Sequence, residues 1–449
     1  MRKQLLDWLN HRTGIQDHIP ALLDEPLPAS VGWKNTLGSI AGALLLVQIL
    51  SGVLLMIYYV PHPDAAFESL EYVKESIRGG ALVRALHYWG GSFIAVALFV
   101  HTARVFFSGA YKKPRELTWI VGLGLFGLFM GLAFTGQLLP WNQSGYWAAK
   151  VGIEIAASAP IIGDIIRQLL TGGDTVGALT LTRFYTLHVV VLPLLLGLGV
   201  ALHLYLLRRH GATPQEGDED AETQSFYPVQ LARDAVAISV VLAGLFVVAA
   251  VLKGPHAGPL DLSDTSYIPR PEWYFLSHFE LLRYTPGSLK IVATFFLPNL
   301  LLLTLVALPW LDRSPSRRPG QRRLIVSAGI FVMASIVGLT ALGIVSNADT
   351  DSEQVTETDE GIYDIVVAGQ AHYERNQCFN CHRIDGEGMR VGPDLSNVGN
   401  RLKEDYMRKW LKNPTAFIAD TQMPVADVNA QELNELVAYL QSLQRVPEE

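Results

Sequence analysis

Two thiols and an imidazole stand together at Cys378-Phe379-Asn380-Cys381-His382, and these are the only cysteines among 449 residues. Cys-x-x-Cys-His is the spacing that fastens a c-type haem covalently. A redox dithiol or half a zinc site would use the same pair, but there is no second cysteine pair and His382 follows at once. His382 is then the proximal axial ligand. Met423, in Gln422-Met423-Pro424, is the candidate for the opposite iron position, because a thioether raises the potential and Pro424 stiffens the loop that presents it. Met389, in a Gly-rich turn soon after His382, competes for that role and is read as packing.

Four further histidines, His87, His101, His188 and His203, lie inside apolar runs as two pairs with separations of fourteen and fifteen residues. At about 100° per residue, fourteen returns to within about 40° of the same helical face and fifteen to within about 60°. Both members of each pair therefore point into one bundle, about 21 Å apart along the axis. Pairing His87 with His188 and His101 with His203 clamps two b-type haems, one near each membrane surface. Gly38 and Gly52, and Gly122 and Gly136, repeat the fourteen-residue step in two more apolar runs. Bare backbone there gives a flat macrocycle room, and close packing of small residues between membrane helices accounts for them equally well. A lone membrane histidine is usually satisfied by a neighbour, whereas four in register at a depth where polar groups are expensive point to function.

The elements that must position these groups are membrane helices. Half the residues are hydrophobic and 17% are charged, and the apolar runs are long enough to cross a bilayer of about 30 Å. Seven spans are expected, at 37–59, 85–107, 117–138, 184–207, 235–252, 290–311 and 324–346. The fold class is all-α: a helical membrane bundle, four spans and then three, followed by a small soluble α-helical domain. An odd number of spans puts the chain ends on opposite sides. The short segments carrying Lys112, Lys113 and Arg115, Arg208 and Arg209, and Arg313 to Arg323 are densely basic, which makes them and the N-terminus cytoplasmic. The C-terminal domain is then exported, on the side where bacteria attach c-type haem. Met1 to Ile19 has no apolar core for a cleavable signal, and Leu5, Leu6, Trp8 and Leu9 suit a short helix on the cytoplasmic surface. The net charge of −7 says little about partners, since the exported tail supplies much of the acid; nucleic acid is not among those expected.

Residues 1–209 hold the first four spans, 210–226 form an acidic solvated linker, and 227–346 hold the other three. The stretch 347–361, rich in Asp, Glu, Thr and Ser, is expected to be a flexible tether, and 362–449 a small helical domain dependent on its cofactor. In that domain Leu433, Leu436, Val437, Leu440 and Leu443 have the spacing of a closing helix over 429–443.

Residues 1–209 resemble cytochrome b6. Lys112-Lys113-Pro114-Arg115-Glu116-Leu117-Thr118-Trp119, Leu139-Pro140-Trp141, Gly145-Tyr146-Trp147 and Leu181-Thr182-Arg183-Phe184-Tyr185 before His188 all follow its pattern, as do the unequal histidine spacings. Residues 227–346 resemble the three-helix subunit IV through Pro271-Glu272-Trp273-Tyr274, and the tail resembles a class I cytochrome c. The resemblance implies a fused subunit of a cytochrome bc complex that oxidises quinol and reduces quinone by a Q cycle coupled to proton translocation. It implies that Pro271, Glu272, Trp273 and Tyr274 line the outer quinol pocket with Glu272 accepting a proton, although chain-breaking prolines and an interfacial aromatic pair would explain the same residues. It also implies that Arg84 neutralises a haem propionate, and that Arg208 and Lys112 line an inner quinone site, where a cytoplasmic boundary position is an equal explanation. A separate Rieske iron–sulfur protein, a soluble or membrane-bound electron acceptor and a homodimer of complexes are the partners implied. In cytochromes b6 a cysteine near the inner end of the first span fixes a third haem; here Thr36 stands at that position, so no covalent third haem is expected in the membrane domain. A membrane-dehydrogenase b subunit, which also carries two haems on membrane histidines, and a non-enzymatic redox relay or haem-bearing sensor are the competing readings.

Overall fold

The computed structural model describes every residue except 1, 15–22, 174, 215, 217–222, 255–257, 261–266, 268, 286, 357–358, 386, 390, 419–420, 422 and 445–449. The described chain is overwhelmingly helical, with two short two-stranded pairings, and divides into two compact units, one holding the bundle up to Gly343 and the other the C-terminal region from Ile344 onward.

Among the described residues, seven helices are long and apolar enough to cross a membrane: Leu37–Met56, Gly80–Phe107, Glu116–Leu138, Ala178–His210, Phe226–Leu252, Val292–Leu311 and Arg323–Ser346. Their outward faces carry bare apolar side chains such as Leu50, Leu198, Val240, Leu303 and Phe331, as a lipid-facing surface requires. Inward, Ile40 and Leu44 of span 1 meet Ile94, Ala95 and Ala97 of span 2, Phe129 of span 3 and Leu245 of span 5 in one core. Span 4 is not one uniform helix. A π-helical turn over Leu187–Val191 separates α-helical Ala178–Thr186 from Leu192–His210. Pro193 follows that turn, and a proline ring displaces the carbonyl four residues before it, which favours a wider turn there.

Between the spans lie helices that the apolar runs did not reveal: Ala66–Ser76 before span 2, and Gln143–Ala157 and Gly163–Thr171 before span 4. A short helix also forms over Arg2–Thr13. The linker is less free than its acidity implied. Thr223–Ser225 pairs antiparallel with Pro26–Pro28, and the Glu216 carboxylate accepts from Ser316 Oγ at 2.7 Å and from the Arg317 amide at 2.6 Å; the rest of the acidic run, 217–222, lies outside the described residues.

The basic loop after span 6 is built around a buried cluster. Asp312 meets Arg322 Nε at 2.7 Å, Lys112 Nζ at 2.9 Å and the Tyr111 hydroxyl at 2.6 Å. Arg322, fully buried in its side chain, also donates to the carbonyls of Phe106 and Phe107, both at 3.1 Å, at the end of span 2.

In the second unit, the tether expectation meets a helix. Arg323–Thr356 runs on past the seventh span, and a second helix covers Asp359–Arg375. Alanine, glutamine and glutamate among the polar residues let an established helix propagate beyond the apolar stretch, since extending a helix is far easier than nucleating one. Asp359–Arg375 crosses the closing helix Ala430–Ser442, whose first turn is capped by Asn429 and Glu432 acting reciprocally. At the crossing sits Gly369, where a Cβ would collide with the Glu435 carbonyl. Leu433, Leu436, Val437 and Leu440 are buried against Tyr373, Val398, Met407 and Leu411, with Leu443 at the margin, as their spacing predicts.

Candidate haem and quinol sites

The first histidine pair meets as its arithmetic predicts. His87 and His188 face each other with ring centroids 6.3 Å apart and planes 79° apart. Two metal–nitrogen bonds of about 2 Å, with about 1 Å more to each ring centre, span about 6 Å, so the gap accepts one metal ion between the rings. Protonation is set by the neighbours. His188 Nδ1 lies 3.0 Å from the Leu132 carbonyl, which can only accept. His87 Nδ1 lies 3.0 Å from Ser51 Oγ, whose own hydrogen is given to the Val47 carbonyl at 2.7 Å. Both Nδ1 atoms therefore carry the proton and both Nε2 atoms keep a free lone pair, the state that ligates iron. The second pair, His101 and His203, lies within electrostatic reach of one another.

The π-helical turn explains why the two separations differ. Running from Leu187 through His188 to Val191, it absorbs one residue without advancing the helix face, so fifteen residues in span 4 do the work of fourteen in span 2. The four glycines also find their partners, each facing one histidine. A Cβ at Gly136 would lie 2.5 Å from His188 Cε1, at Gly52 3.0 Å from His87 Cε1, at Gly122 3.2 Å from His203 Cε1 and at Gly38 3.8 Å from His101 Cε1. What the bare backbone admits is thus first of all the imidazole.

Arg84 lies one turn before His87 and pairs with Glu71 at 3.3 Å. The Pro271-to-Tyr274 segment packs beside the same stretch. The Tyr88 hydroxyl, next in sequence to His87, donates to Glu272 Oε2 at 3.2 Å, and Trp273 Nε1 donates to Ser92 Oγ at 3.1 Å. Burial pushes the Glu272 carboxyl above its usual range, partly offset by the Tyr88 hydrogen bond. Tyr274 stacks edge-on against Trp273 and Phe275.

Pro271 opens onto a cavity of about 360 Å³ whose wall is almost wholly apolar, with Phe134, Phe275 and Phe279 among its lining. Glu272, Trp273 and Tyr274 turn away from this wall, toward span 2. In their place the cavity meets Gln137 and His278, which the sequence reading missed. The helix Gln143–Ala157 supplies Ala148, Val151, Gly152 and Ile155, an i, i+3, i+4, i+7 stripe that was available as a signal.

In the C-terminal unit, His382 is buried and its Nδ1 donates to the Pro393 carbonyl at 2.8 Å, which again leaves Nε2 free. Cys378 and Cys381 form no disulfide and are both half-buried in the turn that precedes His382. Met423 packs on the core that holds Cys378, its sulfur accepting from Trp410 Nε1 at 2.8 Å. Met389 is exposed and lies outside that core.

Family models match in the order of these parts: Cytochrome b/b6/petB over residues 22–211, Cytochrome b(C-terminal)/b6/petD over 262–356 and Cytochrome c over 366–444. Cytochrome b of Rickettsia conorii is 34% identical over 352 residues, covering 76% of this chain and 86% of that protein. The chain belongs to the cytochrome b family. The menaquinol:cytochrome c reductase cytochrome b subunit of Geobacillus thermodenitrificans is 43% identical over 220 residues, 47% of this chain and 98% of that one. A solved structure titled hyperthermophilic respiratory Complex III superposes with a TM-score of 0.69 at 30% identity, covering 76% of this chain and 91% of its own. The protein is thus a multi-pass cytochrome b with the two parts of that family in one chain and a cytochrome c domain behind them, and haem is the cofactor such domains carry.

In this cytochrome b the two residues expected at an inner quinone site occupy separate clusters. Arg208 pairs with Glu25 and lies over the Phe226 ring at 5.8 Å, while Lys112 is committed to Asp312 and the Ser314 carbonyl at 2.5 Å. Thr36 is buried at the start of span 1, its hydroxyl given to the Trp33 carbonyl at 2.8 Å.

Proposed function

We propose that this chain is the cytochrome b and cytochrome c subunit of a bc-type complex, a quinol:electron-acceptor oxidoreductase that oxidises quinol outside, reduces quinone inside by a Q cycle and moves protons across the bacterial cytoplasmic membrane. The observation that carries the reading is the apolar cavity at Pro271 beside a half-buried carboxylate, Glu272, bonded to the residue next to His87. A quinol ring needs an apolar slot and a proton acceptor close to a one-electron acceptor, and these three features adjoin there. Bound haem supplies reversible one-electron transfer; His87 with His188 and His101 with His203 would hold two b-type groups, and Cys378, Cys381, His382 and Met423 one c-type group.

The protein's own residues do the rest. Pro271 and the phenylalanines exclude water from the ring, Glu272 takes a proton with its pKa already raised, and Tyr88 orients the carboxylate. Arg84 is placed to meet a haem propionate in competition with Glu71. Arg208 and Lys112 are proposed for the inner quinone site, each by exchanging a present partner for the quinone. Both cysteines belong to the c motif, so the iron–sulfur centre comes from a separate Rieske protein, and Thr36 leaves no attachment point for a third covalent haem. The relatives named for menaquinol favour a naphthoquinol as substrate. The N-terminus is assigned to the cytoplasm and the cytochrome c domain to the outer side, where fusion in one chain raises its effective concentration, within a homodimer of complexes. Glu272→Gln tests the reading: quinol oxidation should fall by about 10²-fold with all haem bands intact, and undiminished turnover would overturn it.

A further inference from the structure

Resting on the reading that His87 and His188 hold a haem between them, we propose that Ser51 and Thr135 are positioning residues for that group, their hydroxyl oxygens fixing the two imidazoles and setting the reduction potential of the iron they share. Both side chains are buried, Ser51 on span 1 and Thr135 on span 3. Each gives its hydrogen to the carbonyl four residues earlier, Ser51 to Val47 at 2.7 Å and Thr135 to Gly131 at 2.8 Å. That back-bond is the ordinary way to satisfy a hydroxyl inside a membrane helix, and it leaves the oxygen free to accept. Each oxygen then meets an imidazole: Ser51 Oγ lies 3.0 Å from His87 Nδ1, and Thr135 Oγ1 lies 3.1 Å from His188 Nδ1.

A sequence pattern supports the same assignment. Each hydroxyl stands directly before a glycine that faces the same ring, as Ser51-Gly52 and Thr135-Gly136, so one turn of helix supplies both the space for the imidazole and the acceptor for its N–H. The glycines that face His101 and His203 follow Leu37 and Val121 instead, which have no acceptor in their side chains. The two hydroxyls do not carry equal weight. His188 Nδ1 also lies 3.0 Å from the Leu132 carbonyl, which shares its proton with Thr135. The His87 ring has Ser51 as its acceptor among the described residues, while Gln48 Nε2 donates to the His87 backbone carbonyl at 2.9 Å and leaves the ring alone. A hydrogen bond given by Nδ1 makes Nε2 a stronger donor to the metal, which favours ferric over ferrous iron and lowers the potential. The iron gains or loses one electron, and no bond of the chain is made or broken. Hydroxyls at this site, with none before the other two glycines, bias an electron toward the group held at His101 and His203.

The test is a redox titration of the purified complex followed in the haem bands, with the c haem and the second b haem as internal references. Ser51→Ala should shift the reduction equilibrium of one b haem about tenfold toward ferrous iron, an upward move of about 59 mV for a one-electron couple, and leave the other two haems in place. Thr135→Val should move the same haem in the same direction but less, because the Leu132 carbonyl remains. Ser51→Thr keeps the hydroxyl and should titrate as wild type. Outright loss of that haem in Ser51→Ala, with haem and potential both retained in Ser51→Thr, would uphold the positioning role through a stronger effect. A Ser51→Ala equilibrium within twofold of wild type, or a Ser51→Thr variant displaced as far as Ser51→Ala, would overturn the proposal and leave the haem assignment standing. A wild-type complex without two b haems would overturn the reading beneath it.

Discussion

Removing the guanidinium of Arg322 should loosen the end of the bundle where spans 2, 3 and 6 meet. That one side chain joins the end of span 2, through the Phe106 and Phe107 carbonyls, to Asp312 after span 6 and to the Tyr111 hydroxyl before span 3. Arg322→Met keeps the volume and removes the charge. Breaking a buried ion pair from one side costs about 3–5 kcal/mol, because the other charge is left in a poor solvent. Here Lys112 still contacts Asp312 at 2.9 Å and Tyr111 at 2.6 Å, so the expected loss is near the lower end, about 3 kcal/mol. Asp312→Asn strands two cations instead of one anion and should cost at least as much. Thermal or denaturant-driven loss of the haem spectrum in detergent, compared among wild type, Arg322→Met and Asp312→Asn, reads these values.

The same cluster predicts a pH dependence. Burial by itself would raise the Asp312 pKa, but hydrogen bonds from Tyr111, Lys112 and Arg322, with the charge of Arg322, outweigh it and hold the carboxyl below its ordinary value. A depressed folded pKa stabilises the fold above the unfolded value, about 3.9, and that stability drains away as pH falls through the folded value. The gap between wild type and Asp312→Asn should therefore be constant above about pH 5 and close at more acid pH. A midpoint for Arg322→Met indistinguishable from wild type at neutral pH would refute the view that this cluster holds the spans together.

Other outcomes follow from the haem sites. Alanine at the four glycines should disturb the optical bands in the order of the clearances, Gly136 most and Gly38 least, since an added methyl meets the histidine at 2.5 Å in the first case and 3.8 Å in the last; equal tolerance at all four would show that the imidazoles do not need that backbone. Met423→Ala should lower the c-haem potential and abolish its sulfur–iron charge-transfer band while Met389→Ala leaves both intact, and the reverse pattern would exchange their roles. Pyridine haemochrome analysis of the purified chain should give two b haems for each c haem, with extra covalent haem on the membrane part contradicting the reading of Thr36.

The membrane architecture was open to reading because bilayer thickness and backbone satisfaction leave few solutions to an apolar run. All seven expected spans recur with ends shifted by a few residues, more at spans 2, 4 and 5, where polar turns continue the helix past the apolar stretch. His87, His101, His188 and His203 were readable for a related reason: a helix converts spacing into direction, and four costly side chains in register have few explanations. Cys378, Cys381 and His382 are a contiguous pattern and needed no fold at all. The cavity was harder, since its wall draws on the end of span 3, the interspan helix Gln143–Ala157 and the segment from Pro269 to Leu282. Contact among three segments so distant in sequence has no periodic signature.

Span 4 shows how a departure from ideal periodicity can itself carry information. Uniform α-helix turns His203 about 20° further from the His188 direction than His101 lies from His87. Such a twist would point one inner ligand off the axis shared by the other three. A chain with fourteen residues in both spans would avoid it without any special turn, yet here the extra residue comes with Pro193 and a π-helical turn at Leu187–Val191. The widened turn includes His188 itself, where backbone groups freed from the regular ladder can shift the ring outward or inward with little cost. Deleting one residue within Val189 to Val191 while replacing Pro193 by Leu should restore regular helix and the fourteen-residue step together. If the turn serves only to keep register, that variant binds both b haems; if it also sets the height of His188 against His87, the outer haem alone is lost or shifted in potential.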